Sequence, residues 1–187
     1  MTHTLIDDQI NQHFALLPAM QGHAEMLHTL AADVWARLDG DGCLFAFGNG
    51  GSAAEAQHLV GELIGHYHRD RRPLRAQTLS TDPTVVTCIG NDYDFDDIFT
   101  RQVEALARPA DVVFGFSTSG TSPNVVRALD RARALGAMTV LFTGESGGAV
   151  ATGYDYVFAA PGSETPRIQE MHQLAMHVVC ALIDEWV

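Results

Sequence analysis

The sequence predicts an α/β protein: a doubly wound, five-stranded parallel sheet with helices on both faces and additional helices at the N-terminus. Three observations predict it. Short apolar runs alternate along the chain with stretches whose apolar residues recur at helical spacing, the pattern of parallel strands joined by crossover helices. Two of the loops that follow such runs, GNGGS and STSGTS, are unusually rich in glycine and hydroxyls. Finally, no internal repeat, low-complexity segment or linker divides the 187 residues, of which 47% are hydrophobic and 18% charged. That length and composition suit one domain with a real core, residues 1–187, with 1–40 as a helical extension packed on it.

The elements follow in order. Residues 3–17 and 23–38 read as helices broken by Pro18 and Gly22, with Leu5, Ile10, Phe14 and Leu17 recurring on the first. After the turn Asp39–Gly42, Cys43–Phe47 is a buried strand that leads through glycines into a helix from Ser52 to His66. A charged connection, Asp70–Pro73, precedes a second strand at Leu74–Leu79, and Thr84–Ile89 and Asp97–Leu106 read as helices. Asp111–Phe116 is the third strand, followed by STSGTS and a helix from Pro123 to Leu135. Met138–Thr143 and Tyr156–Ala159 are the last strands, Gly144, Gly147 and Gly148 read as loop, and a long helix from Pro166 to Trp186 closes the chain.

Charge excludes some partners. A formal net charge of -12 gives no general positive field for nucleic acid or an anionic membrane. Any phosphate must therefore be held by local amides and dipoles. Cys43, Cys88 and Cys180 are scattered, odd in number and without a CxxC pair, which suits reduced thiols. The N-terminus lacks the basic start and apolar core of a signal peptide. No apolar run approaches the roughly 18 residues of a membrane span. The expectation is a soluble, cytoplasmic protein.

The loop Gly48-Asn49-Gly50-Gly51-Ser52 sits between strand and helix. Glycines let backbone approach a ligand, and the helix N-terminus offers unpaired N–H groups to an anion. It is neither a Walker loop nor a dinucleotide fingerprint; a tight turn capped by Ser52 is the plain alternative. Ser117-Thr118-Ser119-Gly120-Thr121-Ser122 places five hydroxyls within six residues, more than a cap needs, and favours phosphate binding. Strand carboxyl ends share one edge of such a sheet, so both loops should face one crevice.

His58 and Glu62 form an i, i+4 pair, a spacing that also serves ordinary surface contacts. The closing helix adds Gln169, Glu170, His172, Gln173 and His177 among apolar residues, polar groups that cost stability unless partnered. His58, Glu62 and His177 suit either a zinc site or general acid–base work. Gln169 and His177 lie roughly 12 Å apart along a helix, so both reach one ion only if long side chains converge or a second subunit takes part. Asp82 either contacts a sugar hydroxyl or caps a turn, Asn91 and Asp92 suit turn chemistry, and the remaining histidines show no ligand pattern.

Four motifs in order, GNGGSAAEAQH..GE, LSTDPTVVTCIGND, STSGTS and RIQEMH....H, resemble the SIS (sugar isomerase) family, specifically the phosphoheptose isomerases. The resemblance spans nearly the whole chain. It implies an SIS domain, a homotetramer with active sites at subunit boundaries, and isomerisation of sedoheptulose 7-phosphate to D-glycero-D-manno-heptose 7-phosphate through an enediol. The implied substrate contacts are Asn49, Gly50, Gly51, Ser52, Glu62, Asn91, Asp92, Ser117, Thr118, Ser119, Ser122 and Gln169, with the serine loop on the phosphate. Zinc, where bound, is implied on His58, Glu62, Gln169 and His177, and Glu62 and His177 are the implied acid–base pair. A non-catalytic SIS relative that binds the bacterial replication initiator resembles much of the chain. By the family pattern it lacks the acid of position 62 and the histidine of position 177, and its serine loop is altered; this chain keeps all three. The alternatives are therefore a sugar-phosphate-binding or replication-initiator-associated protein, or an isomerase of another sugar phosphate.

Overall fold

The computed structural model describes residues 2–148 and 151–187. Two N-terminal helices, α1 (Thr2–Met20) and α2 (Ala24–Asp39), are joined by one 3₁₀ turn, Gln21–His23. There follow β1 (Leu44–Gly48), α3 (Gly51–Ile64), β2 (Ala76–Thr78), α4 (Pro83–Asp92), a 3₁₀ turn (Phe95–Asp97) and α5 (Thr100–Leu106). The second half is β3 (Val112–Ser117), α6 (Pro123–Ala134), β4 (Met138–Gly144), α7 (Glu145–Gly148), β5 (Tyr156–Ala160) and α8 (Thr165–Trp186).

The sheet is parallel and five-stranded, in the order β2-β1-β3-β4-β5. β1, β3 and β4 are buried along their whole length, which is why their sequences read as continuous apolar runs rather than alternating ones. Alternate residues of each strand feed separate cores. Leu44, Ala46, Val112, Phe114, Phe116, Val140 and Phe142 pack with α2, α3 and α8. Phe45, Phe47, Val113 and Leu141 pack with α4, α5 and α6. Strand order reverses between β1 and β3, and doubly wound sheets open their binding crevice beyond the carboxyl ends at such a switch point.

Three expectations are corrected. Pro18 lies inside α1 rather than ending it; its fixed φ fits a helix, and the chain turns only after Met20, so one lost hydrogen bond near the end is tolerated. The helix expected from Asp97 begins at Thr100, because Asp94 accepts a hydrogen bond from the Asp96 N–H and starts a separate 3₁₀ turn. Glu145–Gly148, read as loop, is one turn of helix. The α1 stripe is the other surprise: Leu5, Ile6, Ile10 and Phe14 are 61%, 51%, 48% and 61% exposed. In the single chain about half or more of each of these residues stays open to solvent.

Candidate functional site

The glycine loop and the serine loop leave adjacent strands, β1 and β3, and are tied side by side by one reciprocal amide pair. Asn49 Nδ2 donates to Asn124 Oδ1 and Asn124 Nδ2 to Asn49 Oδ1, both at 2.9 Å. Asn124, buried in the first turn of α6, is a residue that sequence reading passed over. No local pattern marks it, since its partner is 75 residues away.

Gly50 precedes α3 with φ 58° and ψ -121°, a conformation open essentially to glycine. Gly51 has a different reason. A Cβ there would stand 2.5 Å from Gln169 Nε2, so the loop closes against α8 only because no side chain intervenes. Ser52 is buried, and its N–H is taken by the Asn49 carbonyl at 3.1 Å.

In the serine loop, Ser122 occupies the N-cap position of α6 but makes no side-chain cap bond. Its hydroxyl instead accepts from Ser117 Oγ at 3.0 Å, while Ser119 Oγ lies 3.4 Å from Ser117 Oγ and accepts from the Thr121 N–H at 3.2 Å. Three hydroxyls thus cluster above the start of a helix, where an anion is favoured. The plain reading of this loop as a serine cap does not describe its geometry.

The third component lies between α3 and α8. His58 Nε2 is 2.9 Å from Glu62 Oε1 and 3.3 Å from His177 Nε2. One ligand atom from each of His58, Glu62 and His177 lies within 4.8 Å of the others. The α3 pair arises from i, i+4 spacing on one helical face, and α8 brings His177 across to it. The amide of Gln173 contacts His58 Nδ1 at 2.9 Å, orienting the ring through its far nitrogen as histidine metal ligands are commonly oriented. Burial, reinforced by His58, pushes the His177 pKa below its ordinary 6.5, with Glu62 pulling the other way. His177 is therefore neutral at pH 7 and has a lone pair to offer. Two histidine nitrogens and a carboxylate oxygen at these separations fit a zinc ion with an open position.

A cleft of about 370 Å³ joins the glycine loop to His58, lined by Gly51, Glu55, His58, Gln169, Glu170 and Gln173. A larger one, about 670 Å³, runs along α6 past Arg127, Arg133 and Tyr154. It reaches the serine loop at Gly120 and Thr121 but none of His58, Glu62 and His177; the smaller cleft, which His58 lines, is the candidate site. Gln169 lies over Gly51, at the glycine-loop end of that cleft. Gln173, one turn further along α8, holds His58.

The remaining candidates stand apart in the single chain. Asp82 caps α4, accepting from Thr84 N–H at 2.8 Å and Val85 N–H at 3.2 Å. Asn91 and Asp92 are exposed at the end of α4, and Asn91 donates to its neighbour at 2.7 Å. Thr118 is half-buried beside Ser117.

The SIS domain family model matches residues 10–144. The phosphoheptose isomerase of Aquifex aeolicus (strain VF5) is 48% identical over 165 residues, covering 88% of this chain and 86% of that one. The solved structure of phosphoheptose isomerase GmhA from Neisseria gonorrhoeae superposes with a TM-score of 0.92 at 35% identity, covering 99% of this chain and 100% of that chain. A phosphoheptose isomerase from Francisella tularensis superposes with a TM-score of 0.94 at 30% identity over 99% of both chains. The chain belongs to the phosphoheptose isomerase family of SIS-domain proteins.

Proposed function

We propose that this chain is an aldose–ketose isomerase that interconverts sedoheptulose 7-phosphate and D-glycero-D-manno-heptose 7-phosphate through an enediol. The observation that carries the reading is the convergence of Glu62 and His177 in one group with His58, which shares a cleft with Gly51 of the glycine loop, itself tied to the first turn of α6 after the serine loop. Those are the features by which the resemblance separates an enzyme from a non-catalytic SIS protein.

In this reading the phosphate sits on Ser117, Thr118, Ser119 and Ser122 and on the α6 N-terminus. Asn49, Gly50, Gly51, Ser52 and Gln169 hold the sugar chain. Glu62, as general base, takes a proton from C1 of the open-chain ketose. His177, neutral at pH 7, passes a proton between the oxygens on C1 and C2, and it also assists ring opening. The enediol forms, Glu62 returns its proton to C2, and the carbonyl now stands at C1. A zinc ion held by His58, Glu62, His177 and Gln169 would supply Lewis-acid stabilisation of charge on the sugar oxygens. For His58 Nε2 to serve as a ligand it must shed its proton, and rotation of the Gln173 amide would then accept the proton on Nδ1.

Asp82, Asn91 and Asp92 complete the proposal as substrate contacts from a neighbouring subunit, together with Gln169 as fourth ligand. The homotetramer belongs to the proposal for two reasons. Gln169 and His177 are roughly 12 Å apart along α8, and the exposed stripe Leu5, Ile6, Ile10 and Phe14 forms an apolar patch of the kind that marks an interface. Residues 1–187 act as one SIS domain with 1–40 as its helical extension. No helix among the described residues is long and apolar enough to cross a membrane, consistent with a cytoplasmic enzyme.

The test is incubation of purified protein, with and without added zinc, with sedoheptulose 7-phosphate and with hexose and aminohexose phosphates. Selective conversion of the heptulose supports the proposal. Turnover of another sugar phosphate alone would reassign the substrate, and binding without turnover would favour the non-catalytic alternative.

A further inference from the structure

Outside the candidate site, a second cluster ties together the two helices that carry it. α3 ends at Ile64, two residues past Glu62, where helix carbonyls lack helical partners. The Arg71 side chain takes two of them: Nη2 donates to the Glu62 carbonyl at 2.8 Å and Nη1 to the Leu63 carbonyl at 2.9 Å. Its Nε donates to Asp184 Oδ1 on α8 at 2.7 Å. The other Asp184 oxygen accepts from the backbone N–H groups of His68 at 2.7 Å and Arg69 at 3.1 Å. Between these anchors Tyr67 stacks on His177, ring centroids 5.3 Å apart and planes 28° apart. The chain thus leaves α3 just after Glu62, passes the His177 ring, is pinned to α8, and returns to the end of α3.

Side-chain exposure is 4% for Arg71 and 2% for Asp184. A buried ion pair is poor value as pure stabilisation, because desolvation offsets its attraction and apolar residues of similar volume often do as well. Its directionality is what apolar residues lack. Here the directed bonds end on the Glu62 carbonyl and on the two N–H groups that follow Tyr67. Asp184 also lies seven residues beyond His177 on α8, two turns along the same helical face.

We infer that residues 65–72 form a strap, locked by the Arg71–Asp184 ion pair, that sets the spacing between Glu62 and His177. Arg71 and Asp184 are positioning residues, and Tyr67 is the backing of the His177 ring. The inference rests on the isomerase reading of the site, since proton transfer is what the spacing serves.

The test uses Asp184→Asn and, should that variant fail to fold, the paired replacement Arg71→Met with Asp184→Leu, which removes both charges at similar volume. Imidazole nitrogen signals of His58 and His177 are recorded by NMR at fixed pH without metal, alongside kcat and KM for sedoheptulose 7-phosphate. In a folded variant the His58 and His177 signals should move while that of His13, held by Glu170 near the start of α8, stays in place. kcat should fall about ten- to a hundredfold, the scale of an ångström-level misplacement or a lost supporting partner, with KM little changed. Unmoved His58 and His177 signals, or an unchanged kcat, in a folded variant would overturn the strap. If the unmodified protein turns over no sugar phosphate, the isomerase reading fails on its own. The histidine signals alone then decide whether the strap sets the spacing.

Discussion

Two of the polar clusters that join α3 to α8 are built on opposite rules. In the strap, the guanidinium of Arg71 and the carboxylate of Asp184 spend their bonding capacity on each other and on backbone groups, away from water. In the site, His58 and Glu62 are 37% and 20% exposed at the side chain, and three acceptor-rich groups crowd within 4.8 Å. A matched cluster is a fixture. A cluster with converging lone pairs and access to a cleft is where a proton, an ion or a substrate enters.

That contrast can be broken at several points. The largest expected effect is in the strap: Asp184→Ala leaves the buried Arg71 uncompensated and should cost about 3–5 kcal/mol of stability, read by denaturant unfolding. A cost below about 1 kcal/mol would show that water reaches the pair. Burial pushes the Asp184 pKa up, but hydrogen bonds from His68 N–H, Arg71 and Arg69 N–H outweigh it and leave it below the ordinary 3.8. A carboxylate with a lowered pKa stabilises the fold above its unfolded value and loses that contribution as pH falls through the folded value. The stability difference between Asp184→Asn and the parent should therefore shrink below about pH 3.8.

In the site the expected change is in rate rather than stability. Glu62→Gln should lower kcat about a hundredfold or more with an unfolding midpoint close to the parent. An unchanged rate would remove Glu62 from the mechanism. A smaller effect concerns protonation. Because burial and His58 lower the His177 pKa, an NMR titration of the metal-free protein should place its midpoint below 6.5; one at or above 6.5 would mean that Glu62 governs the ring instead. The smallest effect is a control. Arg69 lies within the strap, and its side chain pairs with Glu185 at 2.7 Å, but the two side chains are 56% and 60% exposed. Arg69→Ala should change stability by no more than about 1 kcal/mol, and a larger loss would extend the buried network to the surface.

Much of this was legible in the sequence wherever the cause is local. β1, β3 and β4 read as apolar runs because both their faces are buried, Gly50 is glycine because its φ is positive, and His58 and Glu62 share a helical face by spacing alone. What was hidden depends on residues far apart in the chain. Asn124 acquires its role from Asn49, 75 residues away, and Arg71 from Asp184, 113 residues away. Gln173 was visible only as one of several polar residues on α8, and nothing local says that it, rather than Gln169, contacts His58. Helix ends shifted where a side chain competed for the backbone, as Asp94 does ahead of α5. The turn aspartate Asp82, weighed as either cap or sugar contact, does cap α4.

The central claim is that Glu62 and His177, set between α3 and α8, move a proton between adjacent carbons of a heptose phosphate. It is tested most directly by incubating the purified parent protein and Glu62→Gln side by side with sedoheptulose 7-phosphate, with and without zinc, and following aldoheptose 7-phosphate by NMR. The account predicts that the aldose accumulates with the parent and is reduced about a hundredfold or more in rate with the variant. No aldose from the parent under either condition, or equal rates from both proteins, would contradict it.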